Sequence, residues 1–431
     1  MKAILFLGTS LVGAKYIRKA IEPFGLFPIF LVKLESYSGD SRYAIEACKH
    51  YEADVNLLDD ILRVIKEHDL MADVIAVTSL LDETLHNACA VAEIFNINGP
   101  DPKLSNLIDK TKIQQIIPEV IPPSLTIDLS QFSEDQLVQF LNSNTSYEEF
   151  LLKPGISSGA VGISILNRPM TTHQIREEIQ NSNIGGTNHQ NWVLQARIFG
   201  RLYSLEGFVR NGGCFFLGFS RRVREALTES ITEFPVDDEL SVALQENCQK
   251  TVKMLVERSG YMNGYFHCEF IITRNNAYFI DGNMGRIAGG AIAQQIALVY
   301  GKNPEQIYRH VFDLGLFKET YTSGIKYKKI TEKKTLSINY CLEHAAVVQG
   351  VTSPANMTCF HTQVASNNRI TPTIGESDCA WVGFLAGFRE KVLTEIELFT
   401  IHTNHGPVKP FYVLTERQSL VSSLQMMDTS T

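Results

Sequence analysis

Apolar and polar positions along this chain switch between two periods, and the switches mark its elements. Ala3 to Leu7 is a compact apolar run. It leads into Gly8-Thr9-Ser10-Leu11-Val12-Gly13, and then Ile17, Ala20 and Ile21 recur at helical spacing. Phe27 to Val32 and Val74 to Val77 are further apolar runs, and Leu81, Leu85, Ala88, Cys89, Ala92 and Phe95 follow at the helical period. Strand, glycine turn, helix, strand is the opening of a parallel α/β layer. Met1 to Ala14 has a loose likeness to a signal peptide, but Gly8-Thr9-Ser10 breaks its apolar core. The breaker cluster Asn98-Gly99-Pro100-Asp101-Pro102 closes the layer.

Beyond it the pattern predicts a helix over Leu104 to Ile117, stopped by Pro118 and Pro122-Pro123. Strands are predicted at Leu125 to Ile127, Phe150 to Leu152, Ile163 to Leu166, Val193 to Phe199, Tyr203 to Val209 and Phe215 to Phe219. Helices are predicted at Gln131 to Leu141, Ile175 to Ile179 and Leu240 to Ser259, with a further one through Ile292, Ile296 and Val299. After Lys318 the chain is richer in Thr, Lys and short β-like runs, at Leu336 to Tyr340, His344 to Val348 and Ile396 to Ile401. This divides it into an N-terminal α/β domain (1–102), a central domain (103–317, with a lid over about 118–195) and a small β-rich C-terminal domain (318–431). No internal repeat is visible.

Composition narrows the function classes. Charged residues make up 20% of the 431 and the net charge is -8, with no long basic block, so a nucleic-acid partner is not expected. The eight cysteines are scattered without a Cys-x-x-Cys pair, which suits reduced thiols and a cytoplasmic location. No apolar run approaches the length that crosses a bilayer.

The densest chemistry lies between His267 and Gly290. Two apolar runs, His267 to Thr273 and Ala277 to Ile280, flank Asn275-Asn276 and read as a hairpin. Such a hairpin returns Asp281 and Asn283 beside Glu269. Three hard oxygen donors, with Arg286 behind them, suit a divalent cation bound to phosphates. Lys153 ends a strand before the flexible loop Gly155-Ile156-Ser157-Ser158-Gly159-Ala160-Val161-Gly162, whose backbone N–H groups can fold over phosphates. The earlier turn, Gly8 to Gly13, is neither a Gly-Lys-Ser/Thr loop nor Gly-x-Gly-x-x-Gly.

Taken in order, five motifs resemble the ATP-grasp superfamily, in its biotin-carboxylase-like and amino-acid-ligase-like branch. They are Asp109-Lys110; Leu151-Leu152-Lys153-Pro154 with its loop; Tyr203-Ser204-Leu205-Glu206-Gly207; His267-Cys268-Glu269-Phe270 with Asp281-Gly282-Asn283; and Arg286 with Gly289-Gly290. The matching pieces run from Met1 to about Leu314. The resemblance implies a parallel pre-ATP-grasp domain, a two-lobed ATP-grasp domain and a β-rich C-terminal domain. It implies ATP held by Lys110, Lys153, Ser157, Ser158, Gly159, Gln195, Ala196 and Glu269. Mg²⁺, with Mn²⁺ as a substitute, would sit on Glu269, Asp281 and Asn283, and Arg286 and Asn283 would be catalytic.

Departures are visible as well. Asp281 replaces the usual Glu, Gln195-Ala196-Arg197 replaces a Glu-containing hinge, and Leu202 stands where a ribose-binding Glu is usual. Ile287-Ala288-Gly289-Gly290 replaces the acidic segment of biotin carboxylases, which points to carboxylate–amine ligation through an acyl phosphate with release of ADP and phosphate. Two alternatives stand beside it: biotin-carboxylase-like ATP-dependent carboxylation, and a nucleotide-binding regulatory protein with weakened catalysis. The expected partners are ATP, a small carboxylate and an amine, with no membrane and with a homodimer as the family's common assembly.

Overall fold

The structure, a computed structural model, describes residues 2–157, 159–182, 191–321, 325–372 and 380–412. The chain opens with a parallel sheet of β1 (Ala3–Leu7), β2 (Phe27–Val32), β3 (Lys49–Glu52) and β4 (Val74–Thr78) in the order β3-β2-β1-β4. The first, second and fourth are the predicted apolar runs. The polar edge strand Lys49–Glu52 carries no apolar signal and was not predicted. Helix Asp82–Phe95 starts as its sequence dictates, with Asp82 and Glu83 in the first turn and Asn96 left-handed at its end.

The predicted helix Leu104 to Ile117 is two helices, Leu104–Leu107 and Lys110–Ile116. The break has a local cause. The Asp109 carboxylate accepts the Thr111 backbone N–H at 2.8 Å and so caps a new start. The Lys110 N–H goes to Gly155 O at 2.8 Å instead of back into a helical turn. The break therefore ties Lys110 to the root of the glycine loop.

The segment expected to form the lid folds into a small antiparallel sheet of β5 (Ser124–Asp128), β6 (Glu149–Pro154), β7 (Ser164–Asn167) and β8 (Asn191–Ala196), in the order β5-β8-β6-β7. Capping boxes at Ser133 and Thr171 start its two helices, Glu134–Ser143 and Thr172–Asn181. β8 ends at Ala196 rather than at Phe199, and the four residues after it form an irregular hinge.

The central sheet is built from β9 (Arg201–Arg210), β10 (Gly213–Glu225), β11 (Thr228–Phe234), β12 (Gly264–Ile272) and β13 (Ala277–Met284). It continues into the C-terminal region. β14 (Thr335–Tyr340), β16 (Phe360–Gln363) and β18 (Gly383–Phe388) extend it to eight strands in the order β13-β12-β9-β10-β11-β14-β18-β16. A second C-terminal sheet pairs β15 (Ala346–Thr352) with β17 (Asn368–Ile370) and β19 (Thr400–Thr403), with β20 (Gly406–Val408) outermost. The run Ile396 to Ile401 is not one strand: a 3-10 turn at Ile396–Leu398 precedes β19.

Helix Val242–Ser259 covers one face of the central sheet, burying Val252, Leu255 and Val256 against Leu205, Phe266 and Phe270. Helices Ile292–Val299 and Pro304–Phe317 turn back onto the N-terminal layer. Tyr308 stacks on Tyr16 with ring centroids 5.8 Å apart, and Phe312 meets Phe6 edge-on at 5.3 Å. This packing holds the parallel layer against the uncovered face of the central sheet, and the cleft lies between them. Among the described residues, no helix is long and apolar enough to cross a membrane.

Candidate functional site

A cleft of ≈680 Å³ runs between the lid, the central sheet, the N-terminal layer and the C-terminal strands. At one end lies the hairpin of β12 and β13. Its register pairs Glu269 with Asp281 and His267 with Asn283. Directly opposed antiparallel residues share a face, and so do residues two apart on one strand. All four therefore point into the cleft. The hairpin returns Asp281 and Asn283 beside Glu269 as expected, but through a bulge between Glu269 and Phe270, without which plain alternation would turn both to the other face.

Four basic side chains meet these acids. Lys110 Nζ donates to Ser157 O at 2.8 Å and lies 3.5 Å from Asp281 Oδ2. Lys153 Nζ donates to Gln195 Oε1 at 2.7 Å. Burial pushes the Lys153 ammonium down to about 8, and Asp281 partly offsets this. Arg222 and Arg224, two apart on β10, reach Glu269 from the other side at 3.2 and 3.4 Å. Arg221 points the opposite way and pairs with Glu233.

Glu269 is ionised despite its burial. Burial opposes the charge, but Arg222, and after it His267 and Arg224, hold its carboxyl well below the usual range. Beneath it, His267 Nδ1 donates to the buried Glu206 carboxylate at 2.8 Å, and Nε2 lies 3.3 Å from Glu269 Oε1. Burial works against the imidazolium, yet Glu206 and, after it, Glu269 together raise the His267 pKa. Ser204 and Ser220 also donate to Glu206, at 2.9 and 2.6 Å. His267 is thus both a satisfied core histidine and a support for the acid beside it.

The other sequence candidates divide. Ser157 offers its backbone oxygen to Lys110. Gly159 and Ala160 take successive left-handed conformations at the cleft edge, with φ of 61 and 59°. Ser158 lies outside the described residues. Gln195 and Ala196 are buried at the end of β8 and line the cleft, with Leu202 across from them.

Arg286 also lines the cleft, and its donors are largely engaged. It forms a bidentate ion pair with Asp82 and donates to Asn283 Oδ1 and to Ile287 O, each at 3.1 Å. Those four bonds leave one of a guanidinium's five N–H groups for a ligand. Asp82 escaped the sequence reading because it looks like an ordinary first-turn acid of a helix. Arg224 was visible only in the i, i+2 alternation with Arg222.

Among the described residues, no group of three or more His, Cys, Asp and Glu side chains forms a metal cage. The site offers two carboxylates and an amide on one strand pair. That set suits a cation that completes its shell with water and phosphate oxygens, as Mg²⁺ does.

The segment 147–294 matches the model of the ATP-grasp domain family. Residues 147–294 form an ATP-grasp domain. The match spans all of β6 to β13, hence Lys153, the hinge and the acidic hairpin. Similar folds recur among solved structures. The L-amino acid ligase from Bacillus licheniformis superimposes with a TM-score of 0.68 at 14% identity, over 96% of this chain and 99% of that one. Phosphoribosylglycinamide synthetase from Anaerococcus prevotii gives 0.64 at 13% identity, over 93% and 99%. The biotin carboxylase domain dimer of Hydrogenobacter thermophilus 2-oxoglutarate carboxylase, in complex with MgADP and bicarbonate, gives 0.69 at 16%, over 93% and 91%. At these identities the likeness shows the shared fold. No curated protein matches the sequence.

Proposed function

We propose that this protein is an ATP-dependent carboxylate–amine ligase that works through an acyl phosphate. The observation that carries the reading is the cross-strand pair Glu269–Asp281 in a cleft that also holds Lys110, Lys153, Arg222 and Arg224. Two ionisable acids among four cations make a receptor for a polyphosphate and its counter-cation, and the ATP-grasp domain match gives that receptor a nucleotide.

In this reading Glu269, Asp281 and Asn283 hold Mg²⁺, which when bound neutralises phosphate charge. Lys110 and Lys153 bind phosphate oxygens, and the loop carrying Ser157 and Gly159 folds over them and excludes water. A substrate carboxylate oxygen attacks the γ-phosphorus in line. The bond from that phosphorus to the β–γ bridging oxygen breaks, and ADP leaves. The amine nitrogen then attacks the acyl carbon. A C–N bond forms, the C–O bond to phosphate breaks and the amine releases a proton. In this reading the remaining Arg286 N–H donates to the oxygen of the tetrahedral intermediate.

The test is ATP-dependent phosphate release measured across a panel of amino acids and amines. ADP and phosphate released only when both a carboxylate and an amine are present support the ligase. Dependence on bicarbonate overturns it in favour of carboxylation, and ATP binding without turnover across the panel overturns it in favour of a regulatory protein.

Lys153 adds a pH prediction. Its pKa of about 8 leaves it mostly charged near neutrality, and a phosphate beside it would raise that pKa. ATP binding is therefore expected to take up a proton, and affinity to fall about tenfold per pH unit once pH exceeds about 8. Calorimetry in buffers of different ionisation enthalpy reads the proton directly. An equally steep fall in Lys153→Met would place the titrating group elsewhere.

A further inference from the structure

The cleft does not end at the phosphate-binding pole. The cleft face of β10 passes without interruption onto the C-terminal strands: Arg222 pairs with Thr232, Thr232 with Ser337, and Asn339, two residues on, with Phe384. Each is a direct cross-strand partner and shares the face of Glu269 and Arg224. Opposite this extension stands the N-terminal glycine turn. Val12 packs in one apolar cluster with Trp381 and Phe384, and Leu11 is 39% exposed at the cleft wall. This pole is thus an apolar chamber with two aromatic walls.

Three polar features break its apolar lining. Ser337 is 2% exposed, lines the cleft, and its Oγ has no hydrogen-bond partner among the described residues. A buried hydroxyl without a partner is costly, so its retention here needs a reason. Asn339 spends its Nδ2 on Glu229 O at 3.2 Å, which leaves its amide oxygen to the chamber. Arg224, between the chamber and Glu269, has a buried Nε without an acceptor among the described residues, and its single contact to Glu269 is a long 3.4 Å. Arg222, by contrast, is fully engaged by Glu229, His267 and Glu269.

We infer that this chamber selects the carboxylate substrate, and that the substrate is an amino acid with a bulky apolar or aromatic side chain. The side chain lies against the cleft-facing surfaces of Trp381 and Phe384, beside the exposed Leu11. The carboxylate reaches Arg224, which sets it beside Glu269 where the γ-phosphate would stand. The amino group meets Ser337 Oγ and the Asn339 amide oxygen, both acceptors. A small or acidic side chain would leave the apolar walls wet or place a second charge against them. The inference rests on the ligase reading for the order of events, but its binding half stands separately.

The chain has two tryptophans, Trp192 and Trp381, and Trp192 is buried in the lid core. Trp192→Phe therefore makes Trp381 the sole indole reporter. In this variant with an unhydrolysable ATP analogue and Mg²⁺, L-phenylalanine or L-leucine is expected to give a saturable change in Trp381 emission. Glycine and L-aspartate at the same concentrations are expected to give none. In turnover assays on the full-length chain, Trp381→Ala should lower the phenylalanine-to-alanine ratio of kcat/KM at least tenfold. Phe384→Leu, a milder change, should lower the same ratio severalfold. Saturable emission changes without turnover on any pair would uphold the chamber and sink the ligase reading. Turnover that favours glycine or aspartate, with selectivity unmoved by both substitutions, would overturn the chamber and leave the ligase reading standing.

Discussion

Glu269→Gln is expected to reduce kcat by about three orders of magnitude or more, with the fold retained. Gln keeps the shape of Glu269 and can still accept from Arg222, which approaches it at 3.2 Å. What it loses is the charge that Arg222, Arg224 and His267 jointly hold ionised. A metal ion's stabilisation of charge in the transition state is worth several kcal/mol, and each ~1.4 kcal/mol is about tenfold in rate. Asp281→Asn removes the opposing ligand and should fall in the same range, because the register sets the two acids directly across from each other. ADP release at saturating ATP over a series of Mg²⁺ concentrations separates the outcomes. A fall in kcat accompanied by a higher Mg²⁺ requirement supports the assignment. Activity within about tenfold of the parent at ordinary Mg²⁺ would take that residue out of the metal site.

The ease with which this hairpin could be read from the sequence has a physical reason. Its residues are local, with eleven positions between Phe270 and Gly282, so the hairpin itself is legible. The face is not, because Asp281 comes opposite Glu269 only through a bulge between Glu269 and Phe270, which alternation does not foresee. The parallel layer is legible too, because its buried strands are continuous apolar runs. Strand β10 runs to Glu225 and β11 begins at Thr228, yet the predicted strand stopped at Phe219. Beyond that point the cleft face carries Arg222, Arg224, Thr232 and Glu229, so a site-bearing strand loses the apolar signal that identifies strands. Lys110 shows a different limit. Its helix start depends on a bond to Gly155, some 45 positions downstream, which no local window contains. The extension of the central sheet by β14, β18 and β16 is likewise a non-local pairing. It matters because it carries the C-terminal residues to the cleft rather than leaving them beside it.

The pair between Asp82 and Arg286 has the largest expected effect on stability. The residues lie 204 positions apart, and their bond ties the N-terminal layer to the segment that follows the acidic hairpin. Their side chains are 7% and 10% exposed, so water can replace neither partner fully. Removing one member of such a pair typically costs about 3–5 kcal/mol, since the other is left as an uncompensated buried charge. Asp82→Ala is therefore expected to unfold at a markedly lower denaturant concentration. It should also lose activity, because Arg286 would be free to swing away from Asn283 and from the one direction in which its spare N–H points. Arg286→Met should destabilise to a similar degree. The double variant Asp82→Ala/Arg286→Met should be more stable than the two separate losses would sum to, because it removes both charges. Activity should not return with stability, since the guanidinium would still be missing. Denaturant titration of the four proteins of this cycle, with turnover measured on each, checks both halves. Additive losses of about 1 kcal/mol or less would show that the pair is solvated and that Asp82 does not position Arg286. Full activity in Asp82→Ala would show that Arg286 holds its place without the N-terminal layer.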